Sequence, residues 1–130
     1  MAKIKQVIVI RKDLNMRKGK MVASGSHASL KVFFDMMSSH FDQSGVTYKF
    51  TATIPMVEWI EGKFTKICVS VDSEEELFSI YKHAQFKKLP CSLIKDCGDT
   101  EFKEPTYTAC AIGPDVDEII DTITGHLKLL

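Results

Sequence analysis

The feature that most constrains this chain is a pair of strand-like runs too close together for a helix to join them. "CSLIKD" (91–96) and "YTACAIG" (107–113) both read as short, largely buried strands, and only "CGDTEFKEPT" separates them. Parallel neighbours need a crossover of roughly a dozen residues or more, so these two runs are predicted to be antiparallel. "IKQVIVIR" (4–11) and "TKICVSV" (65–71) are rich in β-branched residues and read as two more buried strands.

Helical periodicity fills the intervals. From about Lys18 to His40, Met21, Ala28, Val32 and Met36 form a stripe that Leu30, Phe33, Phe34 and Met37 widen. "VTYKFTAT" reads as a short strand. "IPMVEWIEG" reads as a short helix, with Pro55 in its first turn and Gly62 just past its end. "DSEEELFSIYKHAQFKKL" has a capping Ser73 or Asp72, acids in its first turn and lysines in its last. "PDVDEIIDTIT" is predicted to be a final helix opened by Pro114, and the apolar tail "GHLKLL" is expected to pack. This order predicts one α/β domain over 1–130. Its core is a small mixed four-stranded sheet with helices on both faces, a three-layer α/β/α arrangement.

Charge is balanced, with 17 Lys and Arg against 17 Asp and Glu, but it is unevenly placed. Up to Lys31 the only acid is Asp13, while Arg17, Lys18 and Lys20 crowd what reads as a helix start. A helix N-terminus already carries partial positive charge. Either the cations are tolerated at a cost of a few tenths of a kcal/mol, or an anion belongs there. The four cysteines form no C-x-x-C pair. Cys68, Cys91 and Cys110 lie in or beside apolar runs and read as buried thiols of a reducing compartment. No signal peptide is evident and the apolar runs are too short for a bilayer, so no membrane association and a cytoplasmic location are expected.

Several chemistries fit poorly. "KGK" before a helix lacks the first glycine of a phosphate-binding loop, and Met21 stands where a magnesium-binding hydroxyl is needed. Only Cys97 is placed for thiol catalysis. His27, His40, His83 and His126 show no ligand spacing, so no metal and no cofactor are expected. Strand ends are more informative. If the 4–11 and 91–96 strands are parallel, the Lys18–Lys20 loop and Asp96 reach one sheet edge, with Thr100, Thr106 and Thr108 nearby. A carboxylate there can orient or deprotonate a water while an ammonium stabilises an oxyanion, a kit for ester hydrolysis. An ion pair with turn-capping threonines is the other reading of the same residues.

"VIVIRKDLNMRKGKMVASGSHAS", "VDSEEEL", "LPCSLIKDCGDT", "TACAIGP" and "DTITGHLKLL" together resemble the type II peptidyl-tRNA hydrolases in order and spacing, from the first strand to the last residue and most weakly over about 38–64. The resemblance implies a mixed sheet between helices. It also implies metal-free hydrolysis of the ester between a peptide and the tRNA 3′ ribose, releasing free tRNA. The proposed functional residues of that family fall on Lys20, Asp96, Thr100 and Thr108. Arg17 and Lys18 would meet tRNA phosphates, and His27 would support substrate binding without being catalytic. The chain departs from the family at Arg17 (usually glycine), Ser24 and Lys63 (usually glutamines), Asp99 (commonly arginine) and "EPT" (104–106, usually "PGT"). The alternative is a non-catalytic tRNA- or protein-binding domain of the same fold, which Ser24 and Asp99 favour. Trp59 is read as a packing residue. The Met21, Met36, Met37, Phe33 and Phe34 set is read as core or a self-association face, leaving a homodimer open.

Overall fold

The computed structural model describes residues 3–98 and 101–130. In chain order the elements are β1 (Ile4–Arg11), α1 (Lys18–Phe34), β2 (Ser38–Asp42), β3 (Gly45–Lys49), α2 (Ile54–Glu61), β4 (Lys66–Val71), α3 (Glu74–Phe86), β5 (Cys91–Asp96), β6 (Thr106–Val116), α4 (Asp117–Thr124) and β7 (Lys128–Leu129). One mixed sheet has the order β5–β6–β1–β4–β7, and β2 and β3 pair separately as a hairpin. β1 is parallel to β4 and antiparallel to β6, and β5 is antiparallel to β6 as predicted. Hence β1, β4 and β5 all end at one sheet edge, and β6 begins there.

Alternation along β1 divides the core in two. Val7 and Val9 pack with Val69, Val71, Leu77 and Ile120, so α3 and α4 contribute to one cluster. Ile8 and Ile10 pack with Ala28, Val32 and Met56, so α1 and α2 contribute to the other. Local chemistry starts these helices where the sequence indicates. The Ser73 hydroxyl accepts from the Glu76 N–H at 3.0 Å, and the Glu76 carboxylate returns to the Asp72 N–H at 2.8 Å. Thr53 caps α2 by accepting from the Met56 N–H, with Pro55 in the first turn.

Four expectations need correction. The sheet has five strands, not four, because the tail adds Lys128–Leu129 beside β4, pairing Ser70 with Lys128 and Val69 with Leu129. Two residues are too few to show an alternating pattern. The first helix ends at Phe34 rather than near His40, and 38–49 form the hairpin instead. Its turn is set by Asp42, whose carboxylate accepts from the Ser44 N–H at 2.8 Å, and by Gly45 at φ +127°. Every hairpin residue is exposed, so no burial alternation marked it, and Phe34 and Met36 are exposed rather than core. The last helix starts at Asp117 and not at Pro114, which lies inside β6. Finally, Cys110 is buried but Cys68 is exposed, because the β4 face on the α1 side is incompletely covered. Among the described residues, no helix is long and apolar enough to cross a membrane.

Candidate active site

Chain leaving β1 makes a short 3-10 turn over Lys12–Leu14 and enters α1 through Arg17. That helix start has no side-chain cap and no acid in its first turn. Its orphan N–H groups and its cations therefore need carboxylates from elsewhere, and the end of β5 and the segment after it bring them. The Lys20 ammonium donates to Asp96 Oδ1, with the two side chains only 14% and 8% exposed. The Arg17 N–H donates to Glu101 Oε2 at 3.4 Å, and Arg17 Nε lies 4.0 Å from the same carboxylate. Lys18 has no ion pair among the described residues.

Asp96 is oriented from two sides. Lys20 holds one oxygen, and the Gly98 N–H donates to the other at 2.9 Å. Gly98 has φ +91°, and a Cβ there would stand 2.9 Å from the Glu104 carbonyl carbon, so the turn requires glycine. Phe102 packs against the α1-side core, with its ring centroid 5.9 Å from the Lys20 ammonium.

Thr108 sits on β6, where the register with β5 slips between Ile94 and Lys95. Ile94 faces Ala109 and Lys95 faces Tyr107, so Thr108 is the extra residue of a bulge. Its hydroxyl is fully buried and has no hydrogen-bond partner among the described residues. Burying such a group unsatisfied costs about 1–3 kcal/mol, a penalty commonly carried where a substrate or water completes the bond. Arg11 ties the same edge together by donating to the Tyr107 carbonyl at 3.0 Å and pairing with Asp13 at 2.7 Å.

The sequence-predicted residues thus separate. Lys20 and Asp96 are joined, and Thr108 lies on the strand next to Asp96. Arg17 and Lys18 are exposed at the same helix start. His27 is exposed farther along α1, in a shallow depression with Lys31, Phe34 and Lys95, and has no hydrogen bond or ion pair among the described residues. Thr100 and Asp99 lie outside the described residues. Ser24 is buried, its hydroxyl 3.9 Å from the Met16 sulfur, and Lys63 is exposed. Trp59 packs as expected, with its indole N–H donating to the Thr65 carbonyl at 2.7 Å. Thiol chemistry finds little support in Cys91, which burial and the nearby Asp35 push up to about 11, or in Cys110, which burial pushes higher still. Sequence reasoning missed Gly98, Glu101 and Phe102 as site residues. The signal available was a glycine two residues after a strand-end carboxylate and a lone aromatic in a polar loop.

Comparison with known proteins identifies the family to which the chain is similar. The family profile described as Peptidyl-tRNA hydrolase PTH2 matches residues 4–130. The peptidyl-tRNA hydrolase of Methanocaldococcus jannaschii is 46% identical over 127 residues, covering 98% of this chain and 100% of that protein. A peptidyl-tRNA hydrolase of Methanococcus maripaludis is 40% identical over 125 residues, covering 96% and 97% of the two chains. That of Thermococcus onnurineus is 36% identical over 134 residues, covering 100% of both.

Proposed function

Because the chain belongs to the peptidyl-tRNA hydrolase PTH2 family, we propose that it cleaves the ester joining a peptide to tRNA with Lys20 and Asp96 at the centre of the reaction. The observation that carries the site assignment is the largely buried Lys20–Asp96 pair, held by Gly98 at the edge where β1, β4 and β5 end. Family membership supports the substrate, and the translation-linked substrate in turn supports a cytoplasmic location. The two core clusters on opposite faces of β1 support a three-layer scaffold behind the site.

In this reading Asp96 orients a water and accepts its proton as the water oxygen attacks the ester carbonyl carbon. Negative charge develops on the carbonyl oxygen, which the Lys20 ammonium stabilises. The bond between the acyl carbon and the ribose oxygen then breaks. The proton held by Asp96 passes to that ribose oxygen, giving free tRNA and a peptide carboxylic acid, which releases its remaining proton to solvent to become the carboxylate. Thr108 offers its unpartnered hydroxyl to the substrate, and Thr100 is assigned a supporting hydroxyl by the family pattern. Arg17 and Lys18 meet backbone phosphates.

The test is release of free tRNA from an N-acetylated aminoacyl-tRNA by the purified protein. Release above the spontaneous rate is expected, and its loss in Asp96→Asn supports the site. No release above background by the wild-type protein overturns the hydrolase reading.

A further inference from the structure

Helix α1 packs over β5, β6 and β1 and leaves much of β4 bare on that face. Between α1 and β4 runs a groove of about 650 Å³. Ile8, Ile10 and Cys68 line its sheet side, and Met21, Val22 and Leu30 line its helix side. Phe33, Trp59 and Phe64 close its far end, with Phe33 and Trp59 stacked at 5.8 Å and Trp59 and Phe64 tilted at 4.3 Å. Among the described residues, the charged side chains along it are Lys18 at the end nearest Lys20 and Lys66 at the other; no acidic side chain lines it, and Leu130 lines it too.

Two details connect this groove to the site. Gly19, between Lys18 and Lys20, would carry a Cβ into space that no described residue occupies within 4 Å, so among the described residues the first turn of α1 is open there. Phe64 adopts φ +58°, a conformation that bulky residues rarely hold without reason. It lays its ring 3.2 Å from the Lys66 ammonium and closes the far end.

We propose that this groove receives the peptide portion of the substrate, which runs from the ester at Lys20 and Asp96, over Gly19, and along α1 toward Lys66. The inference rests on the peptidyl-tRNA reading and deepens it. Lys18 to Phe33 spans about 22 Å at the α-helical rise, room for roughly six extended residues at about 3.3 Å each. A nucleic-acid strand of that length needs cations throughout, to meet each phosphate. Here cations stand only at the ends and the wall between them is apolar, which matches apolar side chains and carbonyl oxygens instead. Continuity with the Lys18–Lys20 turn puts the open end of the groove beside the reacting ester.

The test uses the full chain and two readouts. First, KM is compared for tRNA carrying N-acetylglycine and tRNA carrying an N-acetylated pentaleucine, with wild type and with Leu30→Asp, whose parent side chain is 52% exposed. The wild type is expected to show a KM about tenfold lower for the pentaleucyl substrate, and Leu30→Asp to bring the two values together. Second, Trp59 is the single tryptophan, so its emission reports occupancy of the groove. N-acetyl-pentaleucine amide, with no tRNA attached, is expected to shift that emission saturably. Equal KM values in the wild type with no peptide-induced shift overturn the proposal. So does a shift produced by deacylated tRNA and not by peptide. So does sedimentation showing a wild-type dimer that Leu30→Asp dissociates, since the groove then belongs to a second copy. Turnover of N-acetylglycyl-tRNA in the same assay keeps failure of the groove separate from failure of the hydrolase reading.

Discussion

Lys20 and Asp96, 76 positions apart in the chain, meet as an ion pair at the edge where three strands end. Each is largely withdrawn from water, so each depends on the other for its charge to be tolerated there. The pair also holds together the two segments that carry the site, the first turn of α1 and the end of β5.

Lys20→Ala and Asp96→Asn should each lower the single-turnover rate on an N-acetylated aminoacyl-tRNA by about a hundred- to ten-thousand-fold. The double variant should be little worse than either single one, because the proposed mechanism has both groups serve one transition state. Rapid-quench measurement of tRNA release decides this, and a fully active Asp96→Asn excludes the carboxylate as proton acceptor.

Thr108→Val keeps the shape of the side chain and removes a buried hydroxyl that has no partner among the described residues. Stability should rise by about 1 kcal/mol in urea unfolding, since an unsatisfied group is lost. Activity should nevertheless fall. A variant that loses stability and keeps full activity makes this threonine purely structural.

Gly98→Ala forces a side chain into φ +91° and against the Glu104 backbone. A cost of about 1–3 kcal/mol is expected for such a conformation. The rate should fall further than that of an equally destabilised variant elsewhere, because the N–H that orients Asp96 moves with the turn. Comparing melting temperature with single-turnover rate separates the two effects.

Glu101→Gln removes the carboxylate that faces Arg17. At about 4 Å in water such a charge is worth roughly 1 kcal/mol, so tRNA affinity should rise up to about fivefold at low salt. The slope of log affinity against log salt should steepen by about one unit as Arg17 becomes available to a phosphate. Titration of labelled tRNA at several salt concentrations measures both, and unchanged affinity and slope remove Arg17 from the tRNA contact.

The bond from Arg11 holds Asp13 below the ordinary carboxylate range, with burial offsetting part of the effect. A depressed carboxylate stabilises the fold above its unfolded value, near pH 4, and that contribution is lost as pH falls through its folded value. Asp13→Asn should therefore be less stable than wild type at neutral pH and converge on it in acid. A stability difference that stays constant from neutral pH to the acid limit contradicts this.

Much was legible from sequence because it is local. β-branched runs specify the central strands, the Ser73 and Thr53 caps start their helices, and the short interval after Asp96 demands an antiparallel pair. Lys20 and Asp96 were expected at one edge provided that the 4–11 and 91–96 strands run parallel, and the pairing of both with β6 makes them do so. The second strand of the hairpin was read in part, within "VTYKFTAT", but its first strand at 38–42 and the two-residue edge strand at 128–129 were missed, since neither buries a face that periodicity can register. Only the tertiary structure decided which carboxylates answer the cations at the start of α1, what holds Asp96 in place, and where β4 stays bare. Those outcomes depend on how segments distant in sequence pack against one another. The sequence by itself determined the central strands, the helices apart from the bounds of the first and last, and the chemical kit; the Thr108 hydroxyl without a partner among the described residues and the open groove arise from the register of β6 and from how little of β4 one helix can cover.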